Sequence, residues 1–564
     1  MNVIVNLKQL LLKKIKELYG INDGVLALVS FKINEKQSSF GDVSCNAAMV
    51  IAKEAKANPR TIALQLQEFL QSKELADTVV RVDIAGPGFL NITITHDAWV
   101  TIFTSLYKNI KKFLGNETVV EQKRFLIEFV SANPTGPLHL GHGRGAIVGD
   151  VLSKVLTFLG HHVTKEFYIN DAGNQVRLLG LSFKARCFQA LGSAMEIPEG
   201  GYHGEYLQNV ASDCVAVYGE ALLEKSDLFF QEYAIENMLN LIKADLQAYG
   251  ISFDVWFSEK SLHDDGSLER AIELLQSKNL LYEQEGALWF RATDFGDDKD
   301  RVIKKSNGEM TYIAPDIAYH KNKFERGFDV LINIWGHDHH GYVKRLKATL
   351  KALGFDDEKI HVILCQIVHI KNEGKAVKMS KRAGTMIMLS DIINEVGQDV
   401  ARFFYLNCNV DSPLTFDLAL ALQQTDENPV HYIHYAYVRI NSILKKAQES
   451  GFGSWLDVVS SGVLSQADFE RIKPLLGAGE ISVIKYLIGL ADVLKNIEST
   501  YQTQMLSQYA LELARCLHGY YAENRIIDSD KPDITQMRLF TVLMVHKTLD
   551  VCLELLGLSK PEKM

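Results

Sequence analysis

A strand, a glycine-rich turn, a helix and a second strand follow one another between residues 125 and 169. This order constrains the fold more than any other feature of the chain. Residues 125–130 have the pattern of a buried strand, an apolar-periodic helix runs from about 141 to 159, and strand-like residues 163–169 follow. Strand–helix–strand order favours parallel pairing. The segment therefore predicts a doubly wound parallel sheet.

At 564 residues, the chain is too long for one hydrophobic core, and we expect several domains. Residues 1–115 have the pattern of a small α+β domain. Residues 120–390 alternate strands and helices, and we interpret the long polar helical stretches at about 185–300 as an insertion. A short helical connector at 391–425 and an all-α bundle at 426–564 complete the predicted multidomain α/β architecture.

The composition narrows the cellular setting. No run of about 18 uncharged apolar residues occurs, so we expect no membrane span. The N-terminal residues lack the apolar centre of a signal peptide. The seven cysteines are dispersed without a Cys-x-x-Cys pair, which favours a reducing cytoplasm and argues against a cysteine-based zinc site. The net charge of −9 leaves RNA binding open, since phosphate contact needs only a local basic face.

The turn before the first predicted helix carries two imidazoles, His139 and His142, three residues apart. The free N–H groups at the start of that helix would attract a phosphate. Gly141, Gly143 and Gly145 would let a ligand approach the backbone closely. Two imidazole donors there could neutralise charge that develops on a phosphate under attack. The alternative is a glycine-tolerant turn with two exposed histidines.

A basic segment follows about 240 residues later. Lys378, Lys381 and Arg382 lie within five residues of one another and precede a glycine. Such a segment suits a mobile loop that closes on a polyphosphate. Taken alone, it would more often be a solvated surface loop.

Together these two motifs resemble the signatures of the class I aminoacyl-tRNA synthetases, in the same order. The His-Leu-Gly-His run at 139–142 is similar to the family's His-Ile-Gly-His element, and the Lys-Met-Ser-Lys run at 378–381 matches the second element in full. The resemblance covers essentially the whole chain and is closest to the arginyl-tRNA synthetases. Supporting stretches lie at 128–134, 168–175, 312–316 and 336–341.

The resemblance implies a Rossmann-like catalytic domain and a set of site residues. The implied arginine ligands are Glu128, Asn133, Tyr312 and Asp316. The implied ATP contacts are His139, Gly141, His142, Gly143, Lys378, Met379, Ser380 and Lys381, of which His139, His142, Lys378 and Lys381 are the catalytic residues. Carboxylates suit a guanidinium, which forms planar bidentate hydrogen bonds.

The resemblance also implies a two-step reaction, in which arginine attacks the α-phosphate of ATP and the arginyl group then passes to the 3′ end of tRNA(Arg). Magnesium is expected with ATP, no zinc is expected, and the enzyme is expected to be monomeric and to need bound tRNA for activation. No editing domain is expected, because buried hydrogen-bonding groups readily distinguish a guanidinium from small apolar side chains.

The N-terminal domain is expected to contact the tRNA elbow, and the helical C-terminus to read the anticodon. Tyr432, Tyr435, Tyr437 and Arg439 could stack on unpaired bases, although helical spacing explains the same tyrosines equally well as bundle core.

Residues 336–341 offer three imidazoles and a carboxylate and could be taken for a metal site. Contiguous ligands rarely wrap one ion well, so we favour an active-site rim.

Rival functions are another class I synthetase, a small nucleotidyltransferase and a non-catalytic RNA-binding paralogue. The acidic residues Glu128 and Asp316 argue against a glutamate enzyme, and the intact histidine and lysine motifs argue against a paralogue.

Overall fold

The computed structural model of the protein describes residues 3–34, 40–108, 110, 114, 121–376, 387–461 and 464–564. The N-terminal part is a small α+β domain with an antiparallel sheet in the order β1-β2-β4-β3. Its elements are α1 (Val3–Tyr19), α2 (Asp23–Leu26), β1 (Phe31–Ile33), β2 (Val43–Cys45), α3 (Ala47–Ile51), α4 (Pro59–Leu70), β3 (Val79–Ala85), β4 (Phe89–Ile94) and α5 (His96–Lys108). Asn58 caps α4, since its side chain accepts a hydrogen bond from the Arg60 N–H at 2.8 Å.

Parallel strands form the centre of the molecule in the order β12-β11-β5-β6-β7, which confirms the predicted sheet. They are β5 (Arg124–Glu128), β6 (His162–Ile169), β7 (Val255–Ser258), β11 (Val330–Gly336) and β12 (Ile360–Cys365), and α6 (Leu140–Phe158) connects β5 to β6. The chain first moves outward from β5 to β7 and then continues on the other side of β5. The order therefore reverses between β5 and β11. Open α/β sheets bind ligands at such a point, beyond the carboxyl ends of the strands.

The stretch at about 185–300 needs a correction, because it is not a single insertion. β7 lies inside it and pairs in parallel with β6, as a strand of the central sheet. With only four half-buried residues, β7 is too short for a clear periodic signal. Helices α7 (Asn174–Ala190), α8 (Glu205–Tyr218) and α9 (Asp227–Ala248) precede it. After it come α10 (Glu259–Asp264), α11 (Ser267–Ser277), an antiparallel sheet of β8 (Leu281–Gln284), β9 (Ala287–Phe290) and β10 (Arg301–Lys304), then α12 (Ile313–Glu325) and α13 (Tyr342–Leu353).

The segment after the central sheet is also less purely helical than expected. It contains β13 (Val368–Asn372), β14 (Lys375–Ala376), α14 (Leu389–Val396), α15 (Gln398–Tyr405), β15 (Leu414–Asp417) and α16 (Leu418–Ala421). β15 lies within the stretch 391–425 and pairs in parallel with β13. The predicted connector is therefore joined to the catalytic domain through backbone hydrogen bonds.

The C-terminal part is an all-α bundle, as predicted. Its helices are α17 (Pro429–Ala447), α18 (Gly453–Ser461), α19 (Gln466–Ile472), α20 (Ala478–Thr500), α21 (Gln504–Glu523) and α22 (Pro532–Leu556). The N-terminal domain packs against it: the rings of Phe103 and Phe540 lie 4.5 Å apart, and Lys485 pairs with Asp42 at 2.8 Å.

Within the described residues, no single helix is long and apolar enough to cross a membrane. One pair of helices, Gln466–Leu475 and Ala478–Thr500, which is bent by 110°, passes that test by length and composition.

A buried arginine joins the catalytic domain to the C-terminal bundle. Arg402 in α15 is 0% exposed and pairs with Asp150 of α6 at 2.6 Å. Its other guanidinium nitrogens donate to the carbonyl oxygens of Tyr249 at 2.6 Å and of Leu556 at 2.9 Å. The arrangement ties three separate helical segments to the helix that begins at the two histidines. Positions in the catalytic centre thus depend on contacts far from it in sequence.

The substitution Arg402→Met is expected to lower the free energy of unfolding by about 3 kcal/mol, near the lower end for a broken buried ion pair. It removes the main partner of buried Asp150, although Lys154 remains 2.8 Å from that carboxylate. The urea midpoint, followed by circular dichroism, measures the loss. Arg471→Met is the control, since Arg471 is 38% exposed in its pair with Asp533 and should change stability by less than about 1 kcal/mol. Equal urea midpoints for the two variants would contradict a stabilising role for the buried Arg402–Asp150 ion pair.

Candidate active site

Two stacked imidazoles mark the N-terminus of α6, at the carboxyl end of β5. His139 is the N-cap, and its Nδ1 accepts a hydrogen bond from the Gly141 N–H at 3.1 Å. His142 Nδ1 accepts one from the His139 N–H at 3.1 Å, and the ring centroids lie 3.7 Å apart. Because an accepting Nδ1 bears no proton in a neutral ring, each imidazole carries its N–H on Nε2. The pair adds two side-chain donors to the positive end of a helix.

The glycines of this turn serve different purposes. Gly141 is exposed in the first turn of α6, as a ligand-facing glycine requires. Gly143 is buried, and a Cβ built on it would lie 2.5 Å from the Tyr405 ring and 2.7 Å from Leu389. The sequence suggested that the bare Cα of Gly143 admits a ligand. The structure shows that it also makes room for the side chains of α14 and α15, while the predicted contact of Gly143 with ATP stays a prediction.

The chain returns to the histidine turn directly after residue 386. The Leu140 N–H donates to the Ile387 carbonyl at 3.1 Å, and the Leu389 N–H donates to the Leu138 carbonyl at 2.9 Å. Tyr249 of the segment after α9 donates its hydroxyl to the Leu389 carbonyl at 2.9 Å. The predicted lysine-loop residues Lys378, Met379, Ser380 and Lys381 lie outside the described residues. The described segment that begins at residue 387 is hydrogen-bonded to the histidine turn.

A strained turn follows β5. Val130 and Ser131 adopt left-handed backbone conformations, with φ of +67° and +42°. Such conformations are rare for non-glycine residues and cost on the order of 1–3 kcal/mol each. Ser131 Oγ stabilises the turn, since it donates to Glu128 Oε1 at 2.9 Å and accepts from the Tyr168 N–H at 3.1 Å. The turn therefore links the carboxyl ends of strands β5 and β6.

Glu128, at the end of β5, is 5% exposed and already paired. Its Oε2 accepts a hydrogen bond from the fully buried ammonium of Lys323, which also donates to Asn333 Oδ1 at 2.9 Å. Asn333 Nδ2 lies 3.0 Å from His320 Nε2, and His320 Nδ1 lies 2.9 Å from the carbonyl oxygen of Asp316. A buried polar network thus connects Glu128 with Asp316, two of the predicted arginine ligands.

The side chain of Tyr168 is hydrogen-bonded to one carboxylate and lies within the electrostatic influence of two more. Its hydroxyl donates to Glu259 Oε2 at 2.7 Å. Burial, and then the negative charges of Glu259, Asp316 and Glu128, hold the pKa of Tyr168 far above its usual range. Burial also raises the pKa of Glu259, while the Tyr168 hydroxyl and His263 act in the opposite direction. The result is a partly desolvated acidic pocket, which suits a cationic ligand.

Glu259 is the site residue that the sequence analysis missed. It directly follows β7, and its side chain reaches the same tyrosine as the charges of Glu128 and Asp316. The available signal was its place after a strand, since ligand-binding residues gather at the carboxyl ends of parallel strands. That signal was hidden because β7 lay inside the supposed insertion.

The other two predicted arginine ligands are exposed. Tyr312 is the residue before α12 and is 71% exposed, one helical turn ahead of Asp316, whose side chain is 29% exposed. Asn133 is exposed in the turn after β5 and donates to Gln175 Oε1 at 2.9 Å. Glu128 and Asp316 thus belong to one buried network, whereas Tyr312 and Asn133 have solvent-accessible side chains.

The histidine-rich stretch after β11 is an exposed edge of the site. A 3₁₀ turn at His337–His339 follows the strand, and none of its residues is buried. His337 Nδ1 lies 2.9 Å from Gln366 Nε2, beside the end of β12. Within the described residues, no group of three or more His, Cys, Asp or Glu side chains is arranged to hold a metal ion.

A second candidate surface lies on the helical bundle. Arg439 of α17 stacks between the rings of Tyr435 and Tyr521, at 4.5 and 4.9 Å from their centroids. Those two tyrosines are 37% and 41% exposed. Tyr437 is instead 6% exposed and donates its hydroxyl to Asp550, and Tyr432 is half-buried against His518. Tyr437 therefore belongs to the bundle core, whereas the stacking of Tyr435 and Arg439 on unpaired bases stays a prediction.

Comparison with known proteins agrees with this arrangement. Residues 104–403 match the family described as class I (R) tRNA synthetases, catalytic domain. Residues 5–94 match the arginyl tRNA synthetase N terminal domain, and residues 433–564 match the DALR anticodon binding domain.

Complete relatives are similar over nearly the whole chain. The arginine–tRNA ligase of Citrifermentans bemidjiense is 43% identical over 93% of this chain and 93% of its own length. That of Moorella thermoacetica is 41% identical over 94% of this chain and 93% of its own. The fold matches the arginyl-tRNA synthetase structure of Thermus thermophilus with a TM-score of 0.74, at 20% identity and 99% coverage of both chains. The chain therefore belongs to the arginine–tRNA ligase family of class I aminoacyl-tRNA synthetases.

Proposed function

We infer that this chain is an arginine–tRNA ligase, which activates L-arginine with ATP and transfers it to the 3′ end of tRNA(Arg), with release of pyrophosphate and AMP. The observation that carries this inference is that the acidic pocket around Tyr168 and the pair of imidazole donors at the N-terminus of α6 both lie at the carboxyl ends of the parallel strands β5, β6 and β7. A guanidinium and a triphosphate are complementary to these two surfaces.

In the first step, the arginine carboxylate attacks the α-phosphate. This nucleophile is already ionised at neutral pH, so the enzyme needs no strong general base. Catalysis then depends on positioning and on stabilising charge at the phosphate. We assign that role to His139 and His142, whose Nε2–H groups lie at the positive end of α6. We propose that Gly141 leaves space for the nucleotide. Gly143 has no side chain, which lets Tyr405 and Leu389 pack against the turn.

We assign Lys378, Met379, Ser380 and Lys381 to the pyrophosphate side of ATP. The anchoring of Ile387 and Leu389 to the histidine turn supports this assignment, because it ties one end of the lysine segment to the turn. Mg²⁺ is proposed to arrive with ATP as part of the substrate, and we propose no protein zinc site.

For the amino acid, we propose that Asp316 and Glu259 face the guanidinium. Tyr312 is exposed one turn from Asp316 and can close over the bound side chain. We assign Asn133 to the α-amino group of arginine, because its amide is exposed in the turn after β5. Glu128 is proposed to act indirectly on the bound arginine, since its carboxylate is already paired with Lys323.

For the tRNA, we propose that the bundle reads unpaired anticodon bases and that the N-terminal domain contacts the elbow. The enzyme is proposed to work as a monomer in the cytoplasm, with tRNA required for activation. One chain supplies all three domains, and its seven cysteines are free thiols, which suits a reducing compartment.

The substitution Tyr435→Ala is expected to raise the Kd for tRNA about tenfold, which lies within the range for loss of one stacked base. Filter binding at fixed salt measures it. Tyr218→Ala is the matched control, because Tyr218 is also 37% exposed but lies on α8, far along the chain from the bundle. Equal Kd values for Tyr435→Ala and the parent protein would exclude Tyr435 from the RNA-binding surface.

Arginine-dependent exchange of labelled pyrophosphate into ATP, with and without tRNA, tests the proposed activity. We expect exchange with arginine when tRNA is present. Exchange with another amino acid would identify a different class I synthetase, and tRNA binding without any exchange would favour a non-catalytic paralogue.

A further inference from the structure

We propose that Lys323 is a positioning residue for arginine recognition, which acts through Asn333 and His320 on Asp316. The proposal rests on the arginine specificity inferred above and identifies how the specificity-determining carboxylate is held. Lys323 belongs to α12, two turns after Asp316, and its side chain is 0% exposed.

Carboxylates of two kinds act on the adjacent rings of Tyr168 and Tyr319. Glu128 is paired with Lys323, and Glu166 is paired with Arg326 while also accepting from the Tyr319 hydroxyl at 2.7 Å. Each of these buried acids therefore has its own cation inside the protein. Asp316 and Glu259 face neutral or weakly basic groups instead: His320 lies 3.4 Å from Asp316, and His263 lies 3.9 Å from Glu259. Among the described residues, Asp316 and Glu259 therefore carry negative charge without a lysine or arginine partner, as a site for a guanidinium requires.

The network from Lys323 to Asp316 has only one consistent direction. An ammonium can only donate, so it fixes the Oδ1 atom of Asn333 toward itself. The amide nitrogen of Asn333 then faces His320 Nε2 at 3.0 Å and donates to it. The remaining ring hydrogen of His320 must lie on Nδ1, which points at the Asp316 carbonyl oxygen at 2.9 Å. Lys323 thereby sets the tautomer that holds the backbone of Asp316.

This direction gives Lys323 a role beyond filling space. The Asp316 carboxylate can meet a guanidinium in bidentate geometry only if it is held in position, and loss of one charge-assisted hydrogen bond would weaken binding about 10- to 100-fold. A lysine that only balanced the charge of Glu128 would not require the ordered contacts through Asn333 and His320.

Two variants test the network. Lys323→Met removes the starting donor but keeps the length of the side chain. Asn333→Asp is nearly isosteric and still accepts from Lys323, but it accepts from His320 Nε2 instead of donating to it, so it no longer selects the tautomer with its only proton on Nδ1. Lys485→Met is the control, because Lys485 is 6% exposed and ion-paired with Asp42, but lies at the interface of the N-terminal domain and the bundle.

Aminoacylation kinetics with varied arginine and varied ATP provide the readout. We expect both network variants to raise the KM for arginine about 10- to 100-fold, with kcat and the KM for ATP changed less than about threefold. The control should lose thermal stability without a change in the KM for arginine.

An arginine KM for Asn333→Asp within about twofold of the parent value would overturn the proposal, and so would equal increases in the two KM values. If Lys323→Met does not fold, Asn333→Asp decides alone, because it leaves no buried cation unpaired. Failure of the parent enzyme to charge tRNA with arginine would instead refute the proposed function.

Discussion

Replacing His142 with alanine is expected to lower kcat for arginyl-adenylate formation by about 10²- to 10³-fold, the loss typical of one preorganised donor. The Nδ1 atom of His142 accepts from the His139 N–H, which leaves its proton on Nε2. The variant removes that donor and one ring of the stacked pair. It acts on charge that develops only during attack at the α-phosphate, so the KM for ATP should change much less than kcat.

Single-turnover formation of adenylate, in the presence of tRNA, measures this loss. His142→Asn separates catalysis from helix capping, because an asparagine oxygen can still accept from the His139 N–H but its amide reaches less far. We expect both variants to lose activity. His162→Ala is the control, since His162 is exposed at the start of β6, at the opposite edge of the sheet from the histidine turn. Full activity in His142→Asn would show that the ring serves only as a cap.

Replacing Asp316 with asparagine is expected to raise the KM for arginine by at least about 100-fold, as for truncation of a buried charge pair. The change keeps the shape of the side chain and its place on α12 but removes the negative charge. Glu259 remains in the pocket, so weak arginine binding should persist. The kcat at saturating arginine should fall far less than kcat/KM.

Initial rates of charging over a wide range of arginine concentrations measure the effect. Asp213→Asn is the matched control, because Asp213 is also an aspartate on a helix but is exposed on α8, outside the acidic pocket. An unchanged arginine KM in Asp316→Asn would remove Asp316 from the pocket and leave Glu259 as its principal acid.

The parts of the fold that the sequence predicted correctly are those encoded locally. The buried run of β5, the turn and the helix of α6 follow one another within about 35 residues, and their patterns are periodic. Asn58 and Pro59 likewise mark the start of α4 through neighbouring residues alone. Such signals need no knowledge of distant parts of the chain.

The missed features depend on pairings between distant residues. β7 joins the sheet only through β6, nearly 90 residues earlier, and its four residues have no distinctive pattern. Glu259 was missed for the same reason. The burial of Glu128 could not be predicted, because its partner Lys323 lies 195 residues away on a helix with many charged residues. Chemistry-bearing motifs can thus be found from sequence, whereas the groups that orient them require the fold.

Charging of bulk tRNA with each of the twenty labelled amino acids, by the parent enzyme and by His142→Ala, tests the central claim most directly. The account predicts that arginine alone is attached and that the variant loses this activity. Attachment of another amino acid would contradict the acidic arginine pocket formed by Asp316 and Glu259 while retaining the class I core. No attachment, despite tRNA binding, would contradict the assignment of the chain as a ligase.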